Sequence, residues 1–557
     1  MSECEPSNVL GGAAVTDWNF ADAYEIVATK VPGAPCQIQG ERTISWAEVD
    51  RRANGLAADL LEAGLGHQAK VAAYLYNAPE YLESYLAAFK AGLVPVNTNY
   101  RYGPEEITYL FDNSDTEAVV FHTSFAELLD AVRRRVPRVR RWYAVDDGGG
   151  IPDWSTPYDE VVAGGRREPV RGPWGRSGDD LLLLYTGGTT GMPKGVMWRQ
   201  DDLFNVLGGG GNPVLGEAPA KDLDEYASRI TGPGFVTLPA CPLMHGTGQF
   251  VAFVTLNGAG CVVTLEGRSF DPAELWRVVQ RYRVNGIAIV GDAFARPMLA
   301  ELRDNPGRYD TSSVMLMTSS GVMWSQETKA ALLERIPQVV LFDSLGSSEA
   351  VGLAASISAG ESTSDTARFQ LGEHVRVFTD DGREVVPGSD DIGMVAVSGF
   401  IPLGYYKDEA KTARNFRTFD GVRYSIPGDY AQVDEEGKLH LLGRGSVCIN
   451  TGGEKVYPEE VEEVLKEHPA VADAACVGVP DERFGEAICA VVEPSAEMAI
   501  DEEELRHRVR TRLARFKVPR SFVVVPSLGR SPAGKVDYPG LSKLAGERTS
   551  SVRESAV

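Results

Sequence analysis

Cysteine is sparse and unpaired in this 557-residue chain. The seven cysteines, Cys4, Cys36, Cys241, Cys261, Cys448, Cys476 and Cys489, are scattered, odd in number and without a CxxC spacing. That excludes a disulfide framework or a structural zinc site and fits reduced thiols in a cytoplasmic protein. Long apolar runs are also missing. No uninterrupted stretch approaches the ~18 residues of a spanning helix, and the start, MSECEPSNVL, lacks the basic region and apolar core of a signal peptide. Peripheral membrane contact stays open. Positive charge is short as well: 55 Lys and Arg face 78 Asp and Glu, a formal net charge of −23. An acidic surface is repelled by backbone phosphates, which argues against a nucleic-acid partner. It does not exclude ATP, which needs only local positive charge. There is no internal repeat.

What remains is an ordinary globular composition, 43% hydrophobic and 24% charged, in a chain too long for one hydrophobic core. Helix and strand patterns alternate, which predicts an α/β layered domain. Residues 79–92, PEYLESYLAAFKAG, put Leu82, Tyr85, Leu86 and Phe89 on one face of an amphipathic helix, with Gly92 as a stop and LVPV as the next strand. Leu275, Val278, Val279 and Tyr282 form another helical face before a strand at Ile287–Val290. A helix around Phe294–Leu302 precedes a strand at Val314–Thr318, and a helix starting near Ser325 leads to Val339–Phe342. Gly208–Ser228, glycine-rich and then acidic, reads as an irregular excursion or lid. After Gly443-Arg444 the character changes to a small α+β unit, with helices at 457–468 and Leu505–Arg515. The opening fifteen or so residues and the tail from Glu547 read as loose.

The organising stretch is Leu181–Gly195, LLLLYTGGTTGMPKG. Its apolar run is that of a strand buried on both faces. Thr186, Gly187, Gly188, Thr189, Thr190 and Gly191 then offer hydroxyls and close backbone approach, and Lys194 adds a mobile positive charge. This chemistry suits a polyphosphate, though the spacing is not that of a Walker A loop. Ligands of parallel α/β sheets sit beyond the carboxyl ends of strands. Thr186–Lys194, Ser319–Met323 and Asp343–Glu349 all lie just past strands, and they are expected to converge on one nucleotide.

Leu181–Gly195 resembles, almost residue for residue, the phosphate-binding signature of the adenylate-forming enzymes, which include acyl-CoA synthetases, aryl-CoA ligases, nonribosomal adenylation domains and luciferases. Further segments follow in that family's order, and the resemblance spans Tyr185 to Lys535. Cys241-Pro242-Leu243-Met244-His245 is similar to the motif lining the acyl site, so His245, with Gly321 and Gly346, is expected at the acyl pocket, gating substrate rather than acting as a base. Asp343-Ser344-Leu345-Gly346-Ser347-Ser348-Glu349 resembles the adenine and metal motif, with Leu345 where the family usually has a stacking aromatic. The resemblance implies that Glu349 holds Mg²⁺ and that Ser320, Gly321, Asp343, Ser344, Gly346, Ser347 and Ser348 line the nucleotide site. Asp429, in IPGDYAQVD with Tyr424 just before it, matches the ribose-binding aspartate, and Arg444 the arginine at the domain boundary. Ser446 stands where the family has a charged hinge residue. Gly452, Gly453 and Lys455 resemble the loop that admits coenzyme A, and Lys535, in SPAGK, the lysine needed for adenylation.

The resemblance implies a large N-terminal domain of layered α/β sheets (1–443), a hinge (444–446) and a small mobile α+β C-terminal domain (447–557). Thr186, Glu349 and Lys535 would carry the chemistry. ATP, Mg²⁺ and coenzyme A are the implied cofactors, a carboxylic acid the partner, and a homodimer is left open. The wording of the motifs is similar to the actinobacterial branch that handles steroid side-chain or long-chain acids. Two other readings differ in class: a ligase loading a carrier-protein phosphopantetheine, and a nucleotide-binding regulator without catalysis.

Overall fold

The protein is described here from a computed structural model, which covers residues 17–554 apart from 187–191, 212–216, 323, 361, 366, 445–446, 448, 452–453, 482–484, 496–497, 514 and 531–535. Among the described residues there are three sheets, of 8, 15 and 5 strands. The first two belong to a large N-terminal α/β part and the third to a small C-terminal part.

In the 8-stranded sheet, Leu181–Thr186 lies between Val94–Asn97, to which it is parallel, and Lys194–Arg199, to which it is antiparallel. Leu182, Leu183, Leu184 and Tyr185 are all buried, as a strand covered on both faces requires. Leu181–Thr186 and Lys194–Arg199 thus pair as antiparallel neighbours, with Thr186 and Lys194 in register. The short strand Gly404–Tyr405 closes this edge by pairing with Val196 and Met197.

The 15-stranded sheet contains the parallel run Val236–Pro239, Gly286–Ile289, Leu316–Ser320 and Val340–Ser347. Two boundaries differ from the sequence reading. The expected strand at Val314–Thr318 begins at Leu316, because the Val314 N–H closes a turn onto Thr311. The expected strand at Val339–Phe342 continues to Ser347 and folds back on Ala350–Ser358. Asp343–Ser347 is therefore strand, and the turn comes only at Ser348–Glu349.

Helix Pro79–Ala91 departs from simple amphipathicity. All its residues are buried, with Gly92 ending it in the left-handed conformation at φ 66°. Its polar positions are covered in ion pairs. Lys90 Nζ lies 2.5 Å from Glu25 and 2.7 Å from Asp50, and Glu83 lies 2.9 Å from Arg52. Helix Leu223–Arg229, capped by Asp222, occupies the end of the stretch expected to be irregular. The chain end likewise differs: helix Tyr538–Glu554 runs through Glu547, anchored by buried Leu541 and Ala545. The loose opening expected of the first fifteen or so residues lies outside the described residues. No described helix is long and apolar enough to cross a membrane.

One side chain joins the phosphate-loop strand to the turn before His245. Asn97, fully covered in an apolar strand, accepts from the Tyr185 N–H at 2.5 Å and donates to the carbonyls of Tyr185, 2.8 Å, and Met244, 2.6 Å. Replacing it strands three buried backbone groups, each of which costs free energy when unpaired. Asn97→Ala is expected to lose about 2–4 kcal/mol, read as a lower urea midpoint with unchanged slope.

Candidate active site

The site forms where the two large sheets meet. The Trp198 indole N–H, from the strand after the glycine-rich loop, donates to the Ser348 carbonyl at 2.9 Å. Gly246, at the first turn of helix Gly246–Asn257, fills the same corner: a methyl group there would sit 3.6 Å from both Leu184 and Ser348 Oγ. His245 occupies the N-cap position of that helix. Gly321, at φ 90°, presents its α-carbon toward Thr247 and Val290, in a conformation that L side chains rarely adopt. His245, Ser348 and Gly321 are therefore gathered about one helix N-terminus.

The phosphate-side groups are held from below by a segment the sequence reading passed over. Glu349 Oε1 accepts from the Tyr405 hydroxyl at 2.8 Å, and the Glu349 carbonyl accepts from Ser425 Oγ at 2.6 Å. Lys194 is paired, not mobile: its ammonium lies 2.9 Å from Asp408, which raises its pKa. Lys411, from the next turn, sits 4.3 Å above the Tyr405 ring, and burial lowers its pKa. Lys411 thus lies beside the tyrosine that binds Glu349, with the Lys194–Asp408 pair on the same segment.

Asp429 starts the strand Asp429–Val433, in register with Arg444 on Lys438–Arg444. Ser425, four residues earlier, binds the Glu349 carbonyl, so the Asp429 hairpin is tied to the Glu349 turn. Ser320 and Ser344 are register partners in neighbouring parallel strands, on the strand ends that carry the site. Asp343 serves differently from the expectation. Adjacent strand residues face opposite ways, and its carboxylate lies 3.2 Å from the fully buried Lys329 of helix Gln326–Arg335. Burial pushes the Asp343 acid up to about 6, with Lys329 pulling it down. Its side chain holds that helix to the sheet.

Gly187, Gly188, Thr189, Thr190, Gly191, Gly452, Gly453, Lys535 and the hinge positions Gly445 and Ser446 lie outside the described residues, as do the side chains of Arg444 and Lys455. Among the described residues no group of three or more His, Cys, Asp or Glu could hold a metal by itself. A single carboxylate does suit Mg²⁺ when phosphates complete its shell, so Glu349 fits the implied ion. Asn97, Tyr405, Asp408 and Lys411 were missed. GYYKDEAKT carries the last three and has no metal-ligand or nucleophile spacing, whereas a lone Asn ending LVPVN was a legible anomaly.

These features define a protein of layered α/β architecture with a small C-terminal sheet. The chain belongs to the AMP-binding enzyme family: residues 24–406 match the AMP-binding enzyme model and 460–535 its C-terminal domain. It is 42% identical over 532 residues to a 3-oxocholest-4-en-26-oate--CoA ligase of Rhodococcus rhodochrous, covering 93% of this chain and 94% of that one. It is also 42% identical over 531 residues to a medium/long-chain-fatty-acid--CoA/3-oxocholest-4-en-26-oate--CoA ligase of Mycobacterium tuberculosis, covering 93% and 95%. The ATP-bound crystal structure of MatB from Rhodopseudomonas palustris superposes with a TM-score of 0.78 at 27% identity, over 95% of this chain and 99% of that one.

The small part rests on the large one beside Asp429. Helix Pro458–Lys466 packs there, and the half-buried Glu459 sets its carboxyl against Gly443, where any side chain would collide with it. One carboxyl oxygen, Oε2, has no hydrogen-bond partner. Burial, then Glu462 and Asp429, push the Glu459 acid up to about 8, against weaker pulls from its own backbone N–H and from Lys466. Folding must keep this proton where the unfolded chain has released it. The contribution of this group to wild-type stability therefore falls as pH rises from the ordinary 4.5 to about 8 and levels off above. Glu459→Gln, isosteric and neutral, is expected to gain stability over wild type across that window, with no gain below it, in urea unfolding at stepped pH.

Proposed function

We propose that this protein is an AMP-forming acyl-CoA synthetase acting on steroid side-chain and medium- to long-chain carboxylic acids in the cytoplasm. The observation that carries this reading is the meeting of Thr186, Lys194, Glu349 and Ser348 from two sheets beside His245, in a chain 42% identical to ligases named for those acids. Free coenzyme A is the proposed acceptor, as those names state.

In the first half-reaction a carboxylate oxygen attacks the α-phosphorus of ATP, giving acyl-adenylate and pyrophosphate. Repulsion between anions is the barrier, and positioned cations remove most of it. Lys194 and Lys411 lie on the phosphate side and Glu349 would hold Mg²⁺, which supplies charge neutralisation on the phosphates when bound. Asp429 suits the ribose hydroxyls, since a carboxylate accepts two O–H donors. Lys535 is assigned to bridge the attacking carboxylate and the α-phosphate. The mixed anhydride replaces hydroxide by AMP as leaving group. In the second half-reaction the coenzyme A thiolate attacks the acyl carbon and AMP departs with the bonding electrons. Residues 447–557 are proposed to turn about 444–446 between the two steps, withdrawing Lys535 and presenting Gly452, Gly453 and Lys455.

Pyrophosphate release and acyl-CoA formation with a panel of 3-oxo steroid carboxylates, long-chain, medium-chain, aryl and short acids test the substrate assignment. Turnover is expected with the first three classes; preference for acetate or benzoate would eliminate it, and loading of a carrier protein but not of free coenzyme A would reassign the acceptor. Lys535→Ala is expected to slow adenylation by about 10²–10³-fold, the size of a lost electrostatic catalyst. Thioester formation from supplied acyl-adenylate should stay within about threefold of wild type. Equal losses in both steps, with the fold intact, would remove the proposed division of labour.

A further inference from the structure

Resting on the reading above, we infer that Tyr405 is a positioning residue for the phosphate side of the reaction: its hydroxyl sets the direction of the Glu349 carboxylate without neutralising it.

The case begins with where Tyr405 is and how completely it is held. The residue is 2% exposed. Its backbone pairs with Val196 in the strand that also bears Lys194, and the neighbouring Tyr406 N–H donates to the Gly195 carbonyl at 2.8 Å. Its own N–H donates to Thr412 Oγ1 at 2.9 Å, and that hydroxyl donates to the Asp408 carbonyl at 2.8 Å. Gly404, at φ 144°, lets the chain pass Thr412 where a Cβ would collide. The ring is therefore fixed from both sides, by a strand and by the short helix Glu409–Asn415.

The hydroxyl is fixed too. Asn415 Nδ2 donates to the Tyr405 oxygen at 3.3 Å, which leaves the phenolic hydrogen to point at Glu349 Oε1, 2.8 Å away. A neutral donor at one carboxylate oxygen orients the group and leaves its charge available to a cation, whereas a cationic partner would consume that charge. The same protein shows the contrast: Asp343 is closed off by the buried ammonium of Lys329. The nearby cation Lys411 stacks on the Tyr405 ring at 4.3 Å. Lys194 is occupied by Asp408. A partly exposed ion pair of that kind contributes little stability, which leaves placement as its effect.

Binding of Mn²⁺, in place of Mg²⁺, to the full chain with α,β-methylene-ATP tests this by electron paramagnetic resonance, with no acid present and no turnover. Tyr405→Phe keeps the ring and removes one oxygen. It is expected to weaken Mn²⁺ binding about tenfold, the size of one charge-assisted hydrogen bond, with a melting temperature within about 2 °C of wild type. Glu349→Gln is expected to weaken it further, and the double variant should bind no worse than Glu349→Gln alone, because Tyr405 acts through Glu349. Wild-type Mn²⁺ affinity in Tyr405→Phe, or additive losses in the double variant, would overturn the inference. Unchanged affinity in Glu349→Gln would instead overturn the metal assignment of the parent reading.

Discussion

A buried amide, that of Asn97, joins the strand that ends at the glycine-rich loop to the turn that ends at His245. The two features belong to different layers, and nothing in the local sequence of either demands that they lie side by side. Three short hydrogen bonds from one side chain hold them there. Because Asn97 is buried, slippage would leave paired groups orphaned. A second amide repeats the device: Asn77 donates to the Cys241 carbonyl at 3.1 Å and accepts from the Leu243 N–H at 2.8 Å. The approach to His245 is thus stitched to the first sheet at both ends.

Given that frame, the site's chemistry is a matter of which charges are left usable. Asp343, Glu83 and Lys90 are charges in the interior with counter-ions at close range. Breaking such pairs costs far more than their presence contributes, so they specify packing and take no part in binding. Glu349 is oriented by a phenol, Lys194 is partnered by the partly exposed Asp408, and Lys411 lies over the Tyr405 ring. The division between structural and available charge follows the kind of partner each acid has.

The family was legible in the sequence, because phosphate loops and strand-end turns need particular residue types at short spacings. Leu181–Thr186 as a doubly covered strand, Gly92 as a helix stop, and a helix start near Ser325 were all legible. Three things were not. Asp343 sits inside a motif, yet strand alternation and a lysine fourteen residues earlier decide where its carboxylate goes. The burial of Glu80, Glu83 and Lys90 on helix Pro79–Ala91 depends on Arg42, Arg52, Glu25 and Asp50, which no helical periodicity reveals. Tyr405 and Asp408 act on groups more than fifty positions away along the chain, so only the pairing of Gly404–Tyr405 with the loop hairpin exposes their role.

Glycine at position 443 gives the helix Pro458–Lys466 a seat with no side chain in it, and into that seat goes an acid that two neighbouring carboxylates oppose. Returned to water, the same acid would be ionised at neutral pH. The contact therefore favours the protonated acid, and raising the pH from the ordinary 4.5 to about 8 weakens it.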